Sequence, residues 1–518
     1  MAQDSALLDP PSTTGGSRRE AKILIIGTGF SGLGMAARLK QTGEEDFLVI
    51  ERRSDVGGTW HDNTYPGCAC DVPSNLYSFS FALNPDWSES FSPQPEIRAY
   101  LEDVATREDI RRHVHFDTTV TEARWDDDRA RWVVATDRGT FEARILVAGL
   151  GALSEPAVPD VPGLDRFEGA VFHTAAWDHD YDLTDKRVAV IGTGASSIQV
   201  VPAIQPVVDH LDLYQRTPPW IMPRTNRPLT RTERFVYRRV PAVQKLVRNT
   251  IYWARELMFL GFRGRSRVMQ VAEVGARKHL SEQVRDPALR AKLEPDYAIG
   301  CKRILQSNDY YPALTQPNVE LVTAGIAEIR PHSVVDVEGN ERAVDAIVLG
   351  TGFHVTDMPA MRQLFGVGGQ SLEESFGASG MRAYKGTTFA GFPNLFMLMG
   401  PNTGLGHTSM VYMIESQVQY TLDAIRTMDA EGIEAVTVKP ERVRSFNDRV
   451  HERMRKTIWM RGGCTSWYID DHGRNPILWP DFTFRFRRLT RRFDAEAYDL
   501  RRIHAATAAP AATVAVVD

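Results

Sequence analysis

Two short aliphatic runs, each passing at once into a glycine-rich turn and then a helical stretch, predict an α/β fold. They are Lys22–Ile26 before Gly27-Thr28-Gly29-Phe30-Ser31-Gly32, and Arg187–Ile191 before Gly192-Thr193-Gly194-Ala195-Ser196-Ser197. Each turn sits in the strand–turn–helix context that a phosphate-binding loop requires. The α/β rhythm then breaks across residues 224–298, which are rich in arginine and carry helical periodicity. The expected architecture is α/β, with two Rossmann-like dinucleotide-binding domains and a helical insertion in the second.

Size and composition fit this plan. A chain of 518 residues is long enough for two or three domains with ample core. Charged residues make up 25% and the net charge is −5, so no electrostatic case for nucleic acid exists. No apolar run reaches the length of a membrane span, and we expect no stable membrane association. Residues 1–20 lack the apolar core of a signal peptide and read as a loose tail, as does the alanine-rich stretch 505–518. Of the cysteines Cys68, Cys70, Cys301 and Cys464, only the first two are close, and no second pair completes a metal site. A reduced, cytoplasmic protein without a metal is the expectation.

The first domain is assigned to residues 21–155 and 385–504. Gly27, Gly29 and Gly32 permit the tight turn and let backbone approach a pyrophosphate, with Phe30 and Ser31 inside the loop. Leu33 to Lys40 reads as the helix whose N-terminus faces that anion. The strand Phe47-Leu48-Val49-Ile50 ends in Glu51, a carboxylate able to accept hydrogen bonds from ribose hydroxyls. Arg131–Thr136 and Thr140–Arg144 read as a hairpin around Asp137-Arg138-Gly139, and Ile145–Ala148 as a return strand. Pro156, Pro159 and Pro162 mark the way out.

The second domain takes residues 156–223 and 299–384. Its strand Leu211–Gln215 is followed by Arg216 and Thr217. Glu51 lies 24 residues after Gly27, and Arg216 lies 24 residues after Gly192. A carboxylate suits a bare ribose and a guanidinium suits a 2′-phosphate, so the first loop is expected to take FAD and the second NADPH. In the insertion, Arg231 to Met258 and Val268 to Val284 read as helices, with an apolar face of Phe235, Val236, Val243, Val247 and Leu257. A basic amphipathic helix can touch a membrane. Glu256, Glu273 and Glu282 interrupt the basic face, which favours packing on the nucleotide domain.

Between the two loops lies Phe167-Glu168-Gly169-Ala170-Val171-Phe172-His173-Thr174-Ala175-Ala176-Trp177-Asp178. Its pattern of Phe167, Gly169, His173, Trp177 and Asp178 resembles the fingerprint of the Baeyer–Villiger monooxygenases, flavoproteins that use NADPH and O2 to insert oxygen beside a ketone carbonyl. Gly57-Gly58-Thr59-Trp60, running on through Tyr65-Pro66-Gly67 to Asp71, resembles a second signature of that family, with every defined position met.

The resemblance covers about residues 20–490 and has several implications. It places Gly58, Thr59 and Trp60 against FAD and makes Asp71 an active-site carboxylate. In Cys301-Lys302-Arg303, Lys302 would reach the NADPH 2′-phosphate beside Arg216 and Thr217, and Arg303 would point at the flavin. Trp467 would lie near the nicotinamide and the substrate, and the insertion would help shape the pocket. Three departures stand out: Ser197 where a third glycine is usual, Gly350 for an alanine in Asp345–Phe353, and Leu150 in the first return strand.

The implied chemistry inserts one oxygen atom of O2 next to the carbonyl to give an ester or lactone. A flavin C4a-peroxide must stay an anion to attack a ketone. Arg303 would stabilise that anion without donating its proton, and Asp71 would hold Arg303 in place. The alternatives are an N- or S-oxygenating flavin monooxygenase and a flavin redox sensor without turnover. Trp177-Asp178 and Lys302-Arg303 speak against the first. Cys68 and Cys70 lack the spacing of a disulfide reductase, and His407 and Ser409 have no upstream Asp signature of a hydrolase triad.

Overall fold

In the computed structural model, the described residues are 18–264 and 267–502. The expected tails therefore fall mostly outside them. Arg18–Glu20, assigned to the loose N-terminal tail, are strand: Arg18–Ile26 pairs along its whole length with Gly139–Ala148. That partner strand joins the second hairpin strand and the return strand into one element of 10 residues.

The first sheet has eight strands. At its centre Arg18–Ile26 lies parallel to both Phe47–Ile50 and Gly139–Ala148. Ile23, Leu24 and Ile25 are buried, as a parallel sheet covered on both faces demands. The late strand Leu395–Met397 also pairs with Gly139–Ala148, and Leu364–Phe365 pairs with Val120–Asp126. The chain thus returns to this sheet before residue 384. The helix Phe30–Gln41 covers one face, packed against Met410–Ala430, whose first turn is capped by Ser409.

The second sheet is parallel throughout and has five strands, in the spatial order Val319–Val322, His210–Tyr214, Arg187–Ile191, Ala346–Leu349, Ala170–His173. The fingerprint segment therefore supplies the edge strand of this sheet and the turn beyond it.

The insertion is helical, in more pieces than its periodicity suggests. The stretch expected as one helix from Arg231 splits into Arg231–Arg239 and Pro241–Leu257. Pro241 has no N–H for the preceding turn and instead starts the next helix at its first position. Arg267–Gln283 and Pro287–Leu293 follow. Among the described residues no helix is long and apolar enough to cross a membrane.

The expectation of four reduced cysteines fails for two of them. Cys301 and Cys464 form a disulfide across 163 residues of sequence, whereas Cys68 and Cys70 are free and buried. Sequence spacing gives no sign of this pair, because the fold alone brings the two segments together.

Candidate active site

At the first phosphate loop, Gly27 has φ +91°, and a Cβ there would sit 2.7 Å from the Gly149 carbonyl oxygen. A Cβ on Gly32 would lie 1.8 Å from the Gly27 oxygen, so both positions must be glycine for loop, helix and return strand to close. Gly29 precedes the helix and supplies no side-chain cap, which leaves the helix N-terminus for an anion. Gly58 rests on Gly29, linking the Gly57-Gly58-Thr59-Trp60 turn to the loop. Glu51 is buried beside it and accepts from the Thr28 N–H at 2.8 Å, the Thr28 hydroxyl at 2.6 Å and the Arg53 N–H at 2.8 Å. The side chains of Phe30 and Trp60 face the core: Phe30 lies edge-on to Tyr77 at 5.0 Å, and the Trp60 indole donates to the Tyr77 hydroxyl. Ser31 is likewise buried.

The second loop repeats the plan with one exchange. Gly192 is left-handed and lies against the Gly350 backbone. Ser197 stands at the third glycine position, fully buried, and a Cβ on Gly350 would come 2.0 Å from its hydroxyl oxygen. The two departures from the family pattern are therefore one compensated change: the serine fills the space that an alanine would otherwise use. A Cβ on Gly194 would meet only the Gly350 oxygen, at 4.0 Å, and Ser196 precedes the helix Ser197–Ile204 without capping it. The Thr193 hydroxyl donates to the Thr217 carbonyl at 3.1 Å, joining the loop to the Arg216 turn.

Lys302 arrives at the same turn. Its ammonium lies 5.1 Å from the Tyr297 ring centre, and the Tyr297 hydroxyl donates to the Pro218 carbonyl at 3.0 Å. Burial and the nearby Arg216 charge hold Lys302 below the usual lysine range, which Asp296 only partly offsets. Among the described residues neither Lys302 nor Arg216 has a salt-bridge partner within 4 Å, an arrangement that fits a dianionic phosphate.

The next residue turns the other way. Arg303 grips Asp71 as a fork, Nε to Oδ2 at 2.8 Å and Nη2 to Oδ1 at 2.7 Å. Burial opposes ionisation of Asp71, but Arg303, aided by Arg255, outweighs it and holds the carboxyl below the usual range. Asp71 in turn makes Arg303 still harder to deprotonate. About a third of each side chain stays solvent-accessible, 36% for Arg303 and 28% for Asp71.

The Asp71 loop is tied to the second domain. The Tyr65 hydroxyl donates to Gln199 Oε1 at 2.9 Å, Gln199 Nε2 donates to the Ala69 carbonyl at 3.0 Å, and Arg224 Nη2 donates to the Cys70 carbonyl at 3.1 Å. Burial pushes the Cys68 thiol up to about 12, leaving it an inert core residue.

In the fingerprint, a Cβ on Gly169 would strike the Asp345 oxygen and the Phe167 ring, so this glycine lets the edge strand dock. His173 is buried, which favours its neutral form; its Nδ1 accepts from the Ala175 N–H at 3.0 Å, and its ring lies edge-on to Phe353. Trp177 packs edge-on to Phe172 at 4.8 Å. Asp178 is exposed and accepts from the Asp180 N–H within its own turn. These residues brace the edge strand of the second sheet and the turn beyond it.

Two neighbours of the pair, Tyr468 and Arg255, carry no motif. Tyr468 is buried, and burial pushes its hydroxyl up to about 12 against the opposing pull of Arg303. Trp467 beside it is 50% exposed, on the loop that Cys464 ties to Cys301. Arg255 reaches over the Phe91 ring at 5.9 Å. A long-range partner of this kind shows no spacing signal in one sequence.

The comparisons agree with this frame. A family model described as pyridine nucleotide-disulphide oxidoreductase matches residues 24–233. The chain is 52% identical over 482 residues to the Baeyer-Villiger monooxygenase of Streptomyces coelicolor, covering 93% of each chain. It is 38% identical to the FAD-binding monooxygenase ktnD of Aspergillus niger, covering 90% of this chain and 80% of the relative. The crystal structure of cyclohexanone monooxygenase from Rhodococcus sp. Phi1 bound to NADP+ superimposes with a TM-score of 0.84 at 29% identity, over 94% of this chain and all of that one. Relatives of this identity, matched over nearly their whole length, show that the chain belongs to the Baeyer–Villiger monooxygenases.

Proposed function

We propose that this protein oxygenates a ketone to an ester or lactone, using FAD, NADPH and O2. The observation that carries the proposal is the forked Arg303–Asp71 pair, next in sequence to Lys302 at the second nucleotide site. The two glycine cradles fit the cofactors, since any Cβ at Gly27, Gly32 or Gly192 would fill the space that backbone needs. The bound flavin, once reduced, supplies the activation of O2.

The protein's own residues do the rest. Lys302, Arg216 and Thr217 bind the phosphate end of NADPH and so orient the nicotinamide. Arg303 presents a permanent positive charge toward the flavin and offers N–H donors without giving up a proton, because Asp71 holds it protonated. That charge favours developing negative charge on oxygen, the requirement of attack on a ketone carbonyl. An amine or sulfide oxygenase has no such requirement, which is why the ketone reading is preferred to the N- or S-oxygenating one. We keep a cytoplasmic setting as part of this reading; there the Cys301–Cys464 bond would meet cellular thiols.

The test uses the purified holoenzyme, NADPH, air and a panel of cyclic, linear and aryl ketones, with products scored by mass. Arg303→Ala should still allow anaerobic flavin reduction by NADPH, at a diminished rate, while ester falls below detection and NADPH oxidation is diverted to hydrogen peroxide. Ester formation near the wild-type rate in this variant would mean that Arg303 is not the reacting-site cation.

A further inference from the structure

The helix Pro241–Leu257 is inverted. Its buried residues are Gln244, Arg248, Tyr252 and Glu256, a polar row at every fourth position. That row docks on the rest of the protein by hydrogen bonds. Gln244 Nε2 donates to Asn75 Oδ1 at 2.9 Å, Arg248 Nη1 to the Asn75 carbonyl at 2.8 Å, and the Thr483 hydroxyl to Glu256 at 2.7 Å. Most of the apolar side chains point outward: Leu246 is 66% exposed, Trp253 52% and Leu257 60%, with Val243 on the same side, while Val247 and Ile251 pack partly on the core. Phe484 extends this face beside Trp253, the ring centres 5.9 Å apart. A surface helix normally presents these faces the other way round.

The charge around this face is one-sided. From Val240 to Val271 the sequence holds six basic residues, of which Arg248 is buried and Arg255 lies toward Asp71, and a single acid, Glu256, which is buried, although the whole chain carries a net charge of −5. Lys245, Arg263 and Arg267 are exposed, as is Arg488 near Phe484, and among the described residues none of the four is in an ion pair.

We propose that this face binds the surface of an anionic phospholipid bilayer, reversibly and without crossing it. Leu246, Trp253, Leu257 and Phe484 enter the interfacial layer, and the flanking cations meet lipid phosphates. The charge favours lipid over a second copy of the chain. A two-fold dimer through this face would set the same cations against themselves, whereas an anionic bilayer complements them. Such binding is peripheral and depends on ionic strength, so it differs from stable anchoring.

The experiment is sedimentation of the full-length holoenzyme with vesicles of phosphatidylcholine alone and of phosphatidylcholine mixed with phosphatidylglycerol. The protein should sediment with the mixed vesicles at low salt, at least tenfold more than with phosphatidylcholine, and should be released at about 1 M salt, where screening acts within about 3 Å. Trp253→Glu with Leu257→Glu should abolish binding. Flavin content and melting temperature, measured alongside, confirm that this variant is folded. Lys245→Glu with Arg488→Glu should remove the preference for the anionic lipid. No sedimentation with either vesicle would overturn the proposal. So would equal binding by the folded Trp253/Leu257 variant, or a wild-type dimer in solution that this variant converts to monomer.

Discussion

Asp71→Asn isolates the charge of the central pair while keeping its size. Arg303 and Asp71 meet at 2.7–2.8 Å through two parallel hydrogen bonds, which sets their charge centres about 4 Å apart. At that separation the attraction is about 4 kcal/mol at the effective dielectric of a protein edge and about 1 kcal/mol in water. With 36% and 28% of the side chains open, the value lies between these limits, and about 2 kcal/mol is expected, roughly a 30-fold change in the folding equilibrium. The pH dependence gives the sharper check. Asp71 in the folded protein titrates below the ordinary value of 3.8. A carboxyl depressed in this way contributes its full stability above the unfolded value of about 3.9 and loses it as pH falls through the lower folded value. Urea titration of the holoenzyme, followed by flavin fluorescence, should therefore show the variant weaker near neutrality, with the gap closing in acid. An equal gap at both pH values would refute the ion-pair reasoning and make Asp71 a hydrogen-bonding residue only. No gap at neutral pH would make the pair energetically idle.

Three further outcomes can be measured. Arg216→Ala should cost about 1.5–3 kcal/mol of NADPH binding, the scale of a charged hydrogen bond, with kcat less affected and binding of NADH unchanged; equilibrium titration of the oxidised enzyme with each nucleotide checks it. Gly350→Ala should destabilise the fold by about 1–3 kcal/mol through overpacking on the Ser197 hydroxyl, and adding Ser197→Gly should recover most of that loss in a melting experiment. Reducing Cys301–Cys464 releases a loop closed across 163 residues, which chain entropy alone values at about 5 kcal/mol, so dithiothreitol should lower the melting temperature of the wild type but not of Cys301→Ser.

Much of the fold was legible because local chemistry dictates it. Both phosphate loops are continuous in sequence, and their glycines answer to contacts made within a single βα unit and its return strand. The helical insertion was legible as a composition break but not in its segmentation, which depends on Pro241 starting a helix rather than merely interrupting one. The inverted face of Pro241–Leu257 was harder. Periodicity shows an apolar stripe, and the default is to turn that stripe inward; only the partners of Gln244, Arg248 and Glu256 reveal that the polar row faces in.

The same limit explains the site. Asp71 and Arg303 are 232 residues apart, and only a resemblance to known signatures pairs them beforehand. Their meeting depends on three fastenings that no motif records. Gln199 holds the Asp71 loop to the second domain, Arg224 holds its carbonyl at Cys70, and the disulfide at Cys301 ties the segment before Arg303 to the loop of Trp467 and Tyr468. Each fastening ends within two residues of Asp71 or Arg303, so each limits how far the fork can open. Charge alone would favour many geometries in a cleft open to water. The hydrogen bonds and the disulfide on either side hold the two segments that carry the planar, two-bond fork, and 36% of the Arg303 side chain stays accessible beside it.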